Sequence, residues 1–316
     1  MTRIVRREEI EAALPGVDLL AAMEQAFVAW SSGRAVVPPV GEMLFSQPLG
    51  EVHLKYGYVH GEPYYVVKIA SGFYQNPALG LPSGNGLMLL FSQATGELVS
   101  VLLDEGMLTD QRTAAAGALA AKYFAPGEVA GIGVIGTGIQ AELQLRHLLP
   151  VTGCRQVLVW GRGRAQFESL RQRLADTDYR MQLAASPAEL ARACQLVVTT
   201  TPATRPLLDA VAPGTHVTAV GSDTADKQEL SPALLANADV VAVDSRAQAA
   251  SRGEVFRAVS AGALDMASVI ELGEVIGGSG PGRTHAGQIT VVDLTGVATQ
   301  DIAIATAIYR SVTHAD

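Results

Sequence analysis

The residues best suited to chemistry begin with a glycine-rich turn, GIGVIGTGIQAE, at positions 131–142. Its GxGxxA pattern follows an apolar, β-branched run and opens a helical one. The first glycine permits a tight turn, the second lets the backbone approach a pyrophosphate, and the small third residue lets the helix pack on the strand. Amides at the helix N-terminus then face the phosphates. The turn predicts a dinucleotide site whose cofactor contacts are Gly136, Thr137, Gly138, Ile139, Gln140 and Ala141.

Two arginines follow the next apolar run, QVLVWGRGRAQ at 156–166. Arg162 and Arg164 lie about twenty residues beyond the turn, where NAD-dependent enzymes place an acid on the ribose 2′-hydroxyl. A carboxylate there would repel a 2′-phosphate, whereas guanidinium groups form charge-assisted hydrogen bonds with it. The pair predicts a preference for NADP(H), with NAD(H) the alternative if both arginines simply begin a solvated helix.

Two further residues are ambiguous when each is taken alone. Lys68 alternates with apolar neighbours in YYVVKIAS, which is typical of an exposed strand residue. Asp223 follows the apolar run HVTAVG, and ligands bind at the carboxyl ends of strands in open α/β sheets. The same residue could instead cap a helix. Asp226 and Glu229 are alternatives for any catalytic role in this stretch.

The first third of the chain has the patterns of one helix and one antiparallel sheet. Residues 15–33 carry apolar side chains at helical spacing, with Asp18 as a plausible N-cap and Gly33 as a stop. Residues 50–103 hold four β-rich runs separated by turn signals. Strands that follow one another without helices between them favour antiparallel pairing.

The remaining chain has the pattern of an α/β domain. An alanine-rich helix is predicted over 108–128, and afterwards short, nearly continuous apolar runs alternate with helical ones. Such runs are typical of strands buried on both faces of a parallel sheet. The predicted fold class is α/β, a Rossmann-type doubly wound parallel sheet with a second α+β domain. We expect that second domain at 1–127 with 299–316, and the dinucleotide-binding domain at 128–298.

Composition excludes several classes of function. The net charge of −8 comes with scattered basic residues, so no nucleic-acid-binding face is expected. No apolar run reaches the roughly 18 residues of a membrane helix, and the N-terminus lacks the pattern of a secretory signal. Cys154 and Cys194 show no CxxC spacing, and the six histidines show no paired ligand spacing. We expect a cytoplasmic protein with no metal site.

Five motifs in order point to a family. VVKIASGF, LTDQRTAAAGALAAKY, GIGVIGTGIQAE, AVGSDTADKQEL and DLTGVATQDIAIA together resemble the ornithine cyclodeaminase and mu-crystallin family, from about residue 15 to the C-terminus. The family includes ornithine cyclodeaminases, alanine dehydrogenases, cyclic ketimine reductases and a thyroid-hormone-binding crystallin. The resemblance implies a substrate domain that dimerises through its sheet, a Rossmann domain inserted after the alanine-rich helix, and an active site in the cleft between them.

The resemblance also implies roles for particular residues. Lys68 and Arg112 would hold the α-carboxylate of a small amino or imino acid, and Asp223 would act as acid or base at the substrate nitrogen. Further cofactor contacts are expected at Thr113, Thr201, Asp293 and Gly296.

This chain departs from the cyclodeaminase pattern in two places. Val40 stands after the paired prolines, where those enzymes usually carry another carboxylate-binding arginine, and Lys55 is the candidate to replace that charge. Arg162 stands where cyclodeaminases tend to keep an acid. These departures favour an NADPH-dependent reductase of a small imino acid, of the pyrroline-2-carboxylate type. The alternatives are an ornithine cyclodeaminase, an alanine dehydrogenase and a crystallin-like binding protein without turnover.

Overall fold

The computed structural model describes residues 2–314 and divides into two compact units. One comprises the chain up to Arg112 together with the chain from Val297 onward, and the other is Thr113–Gly296. The first division falls inside the alanine-rich helix, Met107–Phe124, whereas the boundary predicted from the sequence lies beyond that helix, after residue 127. Each unit has its own sheet.

The first unit is built on a seven-stranded sheet. Its strands are β1 (Arg3–Arg6), β2 (Ala35–Val36), β3 (Gly41–Ser46), β4 (Leu49–Val59), β5 (Tyr64–Gly72), β6 (Gly84–Ser92) and β7 (Leu98–Leu103). The order is β1-β7-β6-β5-β4-β2, with β3 also on β4. β4 to β7 pair antiparallel, as the four β-rich runs predict. The sequence patterns did not predict β1, which joins β7 in parallel, or β2 and β3.

Helices cover one face of this sheet. They are α1 (Arg7–Ala13), α2 (Leu19–Ser31) and α11 (Ala298–His314), with the start of α3 (Met107–Phe124). The predicted cap of α2 is confirmed, because the Asp18 side chain accepts a hydrogen bond of 3.0 Å from the amide of Ala21. α11 packs against α2, β4, β5 and β6, so the last helix belongs to the unit in which the chain begins.

The second unit contains an eight-stranded, wholly parallel sheet. Its strands are β8 (Ile132–Ile135), β9 (Gln156–Trp160), β10 (Arg180–Leu183), β11 (Leu196–Thr199), β13 (His216–Ala219), β15 (Val240–Val243), β16 (Ile270–Glu271) and β17 (Thr290–Asp293). Two short strands, β12 (Thr204–Leu208) and β14 (Gln228–Leu230), pair separately. The helices are α4 (Ile139–Leu148), α5 (Arg164–Arg173), α6 (Pro187–Ala193), α7 (Pro232–Ala236), α8 (Arg246–Ala249), α9 (Gly253–Ser260) and α10 (Leu272–Ile276).

The strand order indicates where a ligand crevice is expected on this sheet. It runs β10-β9-β8-β11-β13-β17-β15-β16, so the chain leaves β8 in one direction and later returns to its other side. β8, β11, β13 and β17 are buried throughout, as strands covered on both faces should be. The predicted doubly wound α/β fold is confirmed. In such folds the ligand crevice lies at the carboxyl ends of the strands, at the point where the order reverses, which here is β8.

Two findings apply to residues 2–314 only. No single helix there is long and apolar enough to cross a membrane, although the bent pair Arg7–Gly16 and Leu19–Ser31 meets the same criteria by length and composition alone. No group of three or more histidine, cysteine, aspartate and glutamate side chains comes together there as metal ligands would.

Candidate active site

The glycine turn lies at the carboxyl end of β8, where the strand order reverses. Gly136 has φ +131°, and its amide donates to the carbonyl of Trp160 at 2.9 Å, which ties the turn to the end of β9. A Cβ at this position would collide with the side chain of Thr200. Only glycine fits here, because the backbone is left-handed and the end of the neighbouring strand is in contact with it.

Open space lies in front of the N-terminus of α4, the helix that follows this turn. Gly138 is the N-cap of α4 and is exposed, and a Cβ there would meet nothing within 4 Å. As a glycine, Gly138 has no side chain with which to cap the first turn of the helix, and Ile139 is 51% exposed although it is apolar. Open space in front of a helix N-terminus that has a glycine as its N-cap fits the phosphates of a dinucleotide.

Arg162 and Arg164 lie where the sequence predicts, between the end of β9 and the first residue of α5. Both are exposed, and the structure gives neither of them an ion pair or side-chain hydrogen bond with another residue in the range 2–314. No carboxylate lies in the segment 156–166 that carries them. Both guanidinium groups are therefore available to an anion.

In the first unit, two basic side chains contact one buried carboxylate, and a third lies opposite one of them on the neighbouring strand. Lys68 is 2% exposed, Lys55 lies directly opposite it on β4, and both face the helices. Lys68 Nζ lies 3.0 Å from Asp301 Oδ1, and Arg112 Nε lies 3.2 Å from the same oxygen. The interpretation of Lys68 as an exposed strand residue is therefore wrong. We call Lys55, Lys68, Arg112 and Asp301 the cation cluster.

Burial sets the protonation of this cluster. It lowers the pKa of Lys68 to about 7, and the neighbouring charges of Arg112 and Lys55 act in the same direction while Asp301 opposes them. Burial alone would raise the pKa of Asp301, but Lys68, Arg112 and Lys55 together hold it below its usual value. The carboxylate is therefore ionised at neutral pH.

Sequence reasoning missed Asp301 and its neighbour Gln300. Gln300 and Asp301 both lie in the first turn of α11, and Gln300 Oε1 accepts from Arg112 Nη1 at 3.4 Å. The motif TQDIAIA contained a usable signal, because an acid beside an apolar helical run is rarely buried unless it is paired.

Asp223 lies just beyond the end of β13, on the carboxyl edge of the parallel sheet. Its side chain is 39% exposed, and Oδ1 lies 2.6 Å from Nζ of Lys227. Its backbone carbonyl accepts from Arg252 at 3.3 Å. The carboxylate is therefore held in place yet accessible from solvent.

The two alternatives to Asp223 differ sharply from it. Asp226 is exposed, whereas Glu229 is fully buried. The Glu229 carboxylate accepts from Thr199 Oγ1 at 2.8 Å, from Thr201 N and Oγ1 at 2.6 and 2.8 Å, and from the amide of Gly221 at 2.8 Å. Burial raises its pKa to about 7. This carboxyl group accepts from four donors and has no exposed surface. It connects the chain after β11 to the chain after β13, and a substrate cannot contact it.

The remaining predicted cofactor contacts have partners within their own unit. Thr201 binds Glu229, and buried Asp293 accepts from the amide of Val255 at 2.9 Å. The amide of Gly296 donates to Asp244, and the carbonyl of Thr113 accepts from Gln144 at 3.2 Å. Their role as cofactor contacts stays a prediction.

Comparison with known proteins supplies the family. The model of the ornithine cyclodeaminase/mu-crystallin family matches residues 1–316. The chain is 41% identical to an uncharacterized cyclodeaminase of Sinorhizobium fredii, over 98% of this chain and 95% of that protein. It is 35% identical to an alanine dehydrogenase of Archaeoglobus fulgidus, again over 98% and 95%.

Solved structures agree with this result. An archaeal alanine dehydrogenase dimer with bound NAD superposes with a TM-score of 0.90 at 32% identity, covering 99% of this chain and 97% of that one. The iminosuccinate reductase of Paracoccus denitrificans, in complex with NAD+, gives 0.87 at 29% identity with the same coverage. The named relatives are thus dehydrogenases, reductases and cyclodeaminases of one fold. The chain belongs to the ornithine cyclodeaminase/mu-crystallin family.

Proposed function

We propose that this protein is an NADPH-dependent reductase of a small imino acid, of the pyrroline-2-carboxylate type. The observation that carries the proposal is the cation cluster, in which Lys68 and Arg112 both contact one oxygen of the buried Asp301 and Lys55 lies opposite Lys68. Lys68 and Arg112 converge on Asp301 Oδ1, and Arg112 keeps guanidinium donors that Asp301 and Gln300 do not use. Converging basic donors of this kind suit the α-carboxylate of a substrate.

The geometry of Arg112 supports this assignment. Its Nε and Nη1 face Asp301 and Gln300, and no described residue accepts from Nη2. The remaining guanidinium donors can form a charge-assisted pair with a substrate carboxylate. Lys55 supplies the charge that Val40 cannot, because it lies opposite Lys68 in the antiparallel register.

Asp223 serves the substrate nitrogen in this proposal. The ammonium of Lys227 at 2.6 Å stabilises the ionised form of Asp223. An ionised carboxylate suits an imine that binds protonated, because it pairs with the N–H and stabilises the iminium form, whose carbon accepts hydride more readily than that of the neutral imine. A bound nicotinamide cofactor supplies the hydride for that carbon. In the reverse direction the same carboxylate accepts the proton of the amine.

The preference for NADP(H) rests on Arg162 and Arg164. Both are exposed, lack described partners and follow β9, the strand beside the phosphate turn. A 2′-phosphate would gain two charge-assisted contacts there, whereas the 2′-hydroxyl of NAD would gain none of that strength. The proposal includes a cytoplasmic location, which keeps the buried free thiols of Cys154 and Cys194 reduced.

Titration with NADPH and NADH, followed by fluorescence, tests the cofactor assignment. We expect tighter binding of NADPH, and Arg162→Ala should weaken it at least about tenfold while NADH binding changes little. Arg171→Ala is the matched control, because Arg171 lies on α5, the helix that follows Arg162, and pairs with nearby Glu168. Equal binding of the two cofactors, or an unaffected Arg162→Ala variant, would show that these arginines do not select the cofactor and simply begin a solvated helix.

Reduction of pyrroline-2-carboxylate by NADPH, measured by loss of cofactor absorbance, tests the reaction itself. The second candidate is oxidative deamination of alanine, which two of the compared proteins favour by name. Alanine-dependent reduction of NAD+, with no activity on the cyclic imine, would replace the proposal with that candidate.

We also propose a homodimer, as in the archaeal relative described as a dimer. The face of the first sheet turned away from α11 is only half-buried, and Tyr56 on it is 39% exposed. Its apolar members on β4, β5 and β6 are Leu54, Tyr56, Tyr58, Tyr65, Val67, Ile69, Leu87, Leu89 and Phe91. Sedimentation should give twice the chain mass of 33.0 kDa. Tyr56→Asp should shift it towards the monomer, and a wild-type monomer would refute the proposal.

A further inference from the structure

Asp301 occupies an unusual place for a carboxylate. It lies in the first turn of α11, it is buried, and its described contacts are the two cations Lys68 and Arg112, both at Oδ1. The other oxygen, Oδ2, is buried and has no hydrogen-bond partner among residues 2–314. A carboxylate retained to cap or pack a helix would have amide or hydroxyl partners, so its contacts point to the cations instead.

The charges around Lys68 show what Asp301 does. Two cations face Lys68, namely Lys55 from β4 and Arg112 from α3. Two carboxyl groups also face it, Asp301 from α11 and Asp104 from the turn before α3. On β6 the residue opposite Lys68 is the uncharged Met88. Burial raises the pKa of Asp104, whose Oδ2 is already occupied by the amide of Leu108 at 2.8 Å. Asp301 is therefore the carboxylate in direct contact with the ammonium group. Without it, the desolvated Lys68 would stand between two like charges and release its proton.

We propose that Asp301 is a positioning residue, which favours the protonated form of Lys68 and aligns the donors of Lys68 and Arg112 so that the site can bind a carboxylate. This inference rests on the proposed function, because it takes the cation cluster as the carboxylate site. Asp301 itself need not touch the substrate. Its effect reaches the reaction through Lys68 and Arg112, and a change at Asp301 should therefore alter substrate binding more than turnover.

The pH dependence of kcat/KM is the direct test, because it reports the ionisation of groups in the free enzyme. In the wild type, kcat/KM for the imine should fall as the pH rises above about 7, where Lys68 loses its proton. In Asp301→Asn this fall should begin at least about one pH unit lower, because an opposite charge in contact has been removed. The kcat at saturating substrate should stay near the wild-type value.

Two variants make the test specific. Lys55→Gln removes a like charge that faces Lys68, so it should move the alkaline fall of kcat/KM to higher pH, opposite to Asp301→Asn, even though KM itself rises. Glu62→Gln removes an exposed carboxylate that pairs with Arg310 on α11, and its profile should match the wild type. Because Lys55→Gln keeps Asp301, it tests the charge relation even if Asp301→Asn does not fold.

The outcomes separate this inference from the proposed function. A wild type that reduces the imine, with Asp301→Asn raising KM equally at every pH, would overturn the positioning role and leave the function standing. An unmoved profile in Lys55→Gln would overturn it as well. If the wild type neither reduces pyrroline-2-carboxylate nor binds L-proline by calorimetry, the proposed function fails and the inference falls with it.

Discussion

At the scale of single residues, the neighbours of a carboxyl group decide what it can do. Asp223 and Glu229 lie six positions apart in one motif, and either could be chosen from the sequence as the catalytic acid. Asp223 is partly exposed and paired with Lys227, whereas Glu229 is buried under four donors. The first can meet a substrate and the second cannot.

This difference predicts the effect of a substitution at Asp223. Asp223→Asn should lower kcat/KM for imine reduction by about 10²- to 10⁴-fold, the range for a lost acid–base group, with NADPH affinity unchanged. Asp226→Asn, its exposed neighbour in the same loop, should retain activity. Steady-state kinetics and cofactor titration measure both effects. Full activity in Asp223→Asn would move the catalytic role elsewhere.

At the scale of elements, the contact between α3 and α4 depends on one glycine. A Cβ at Gly117 on α3 would lie 2.7 Å from Cδ of Gln144, which is buried on α4 and donates to the carbonyl of Thr113. Gly117→Ala should therefore lower the free energy of unfolding by about 1–3 kcal/mol through overpacking, although alanine has the better helix propensity.

A double-mutant cycle tests this contact by urea unfolding. In a Gln144→Ala background the added methyl group has room, so Gly117→Ala should cost much less there or become stabilising. Equal effects in the two backgrounds would show that the glycine serves another purpose.

The elements themselves were largely predictable. The Asp18 cap, the four antiparallel strands and the alternating α/β pattern appear in the sequence because each depends on residues within a few positions of one another. β1 and β12 were missed, since RIVR and TRPLL are short and charged or interrupted by proline, and only pairing with a distant strand makes them strands.

At the scale of the whole molecule, buried acids in the second unit govern how stability depends on pH. Burial raises the pKa of Glu229 to about 7 and that of Glu254 to about 8, and it raises that of Asp293 as well. Between the unfolded and folded pKa values, the folded state holds protons that the unfolded state has released. Their contribution to stability is therefore present at low pH and is lost as the pH rises through this window.

Thermal unfolding of Glu254→Gln between pH 5 and 8 checks this sign. The variant should be less stable overall, because an amide NH₂ would face the backbone amides of Glu229 and Leu230 that now donate to the carboxylate. Its free energy of unfolding, obtained from the thermal transitions, should nevertheless fall less steeply with pH than that of the wild type. The difference in slope should be up to about 1.4 kcal/mol per pH unit, the value for one titrating proton. Exposed Glu8→Gln should keep the wild-type slope. A steeper fall in Glu254→Gln would contradict the assignment.

Local sequence was thus enough for the glycine turn after β8, the strand succession and the family, because each appears as a pattern of neighbouring residues. The environment of individual side chains required the tertiary structure. Lys68 and Asp301 are 233 positions apart and meet because α11 packs on β5, a contact that no short-range period encodes. Burial and charge at such contacts decide whether a lysine is a surface residue or part of a buried ionic cluster, and both depend on long-range packing.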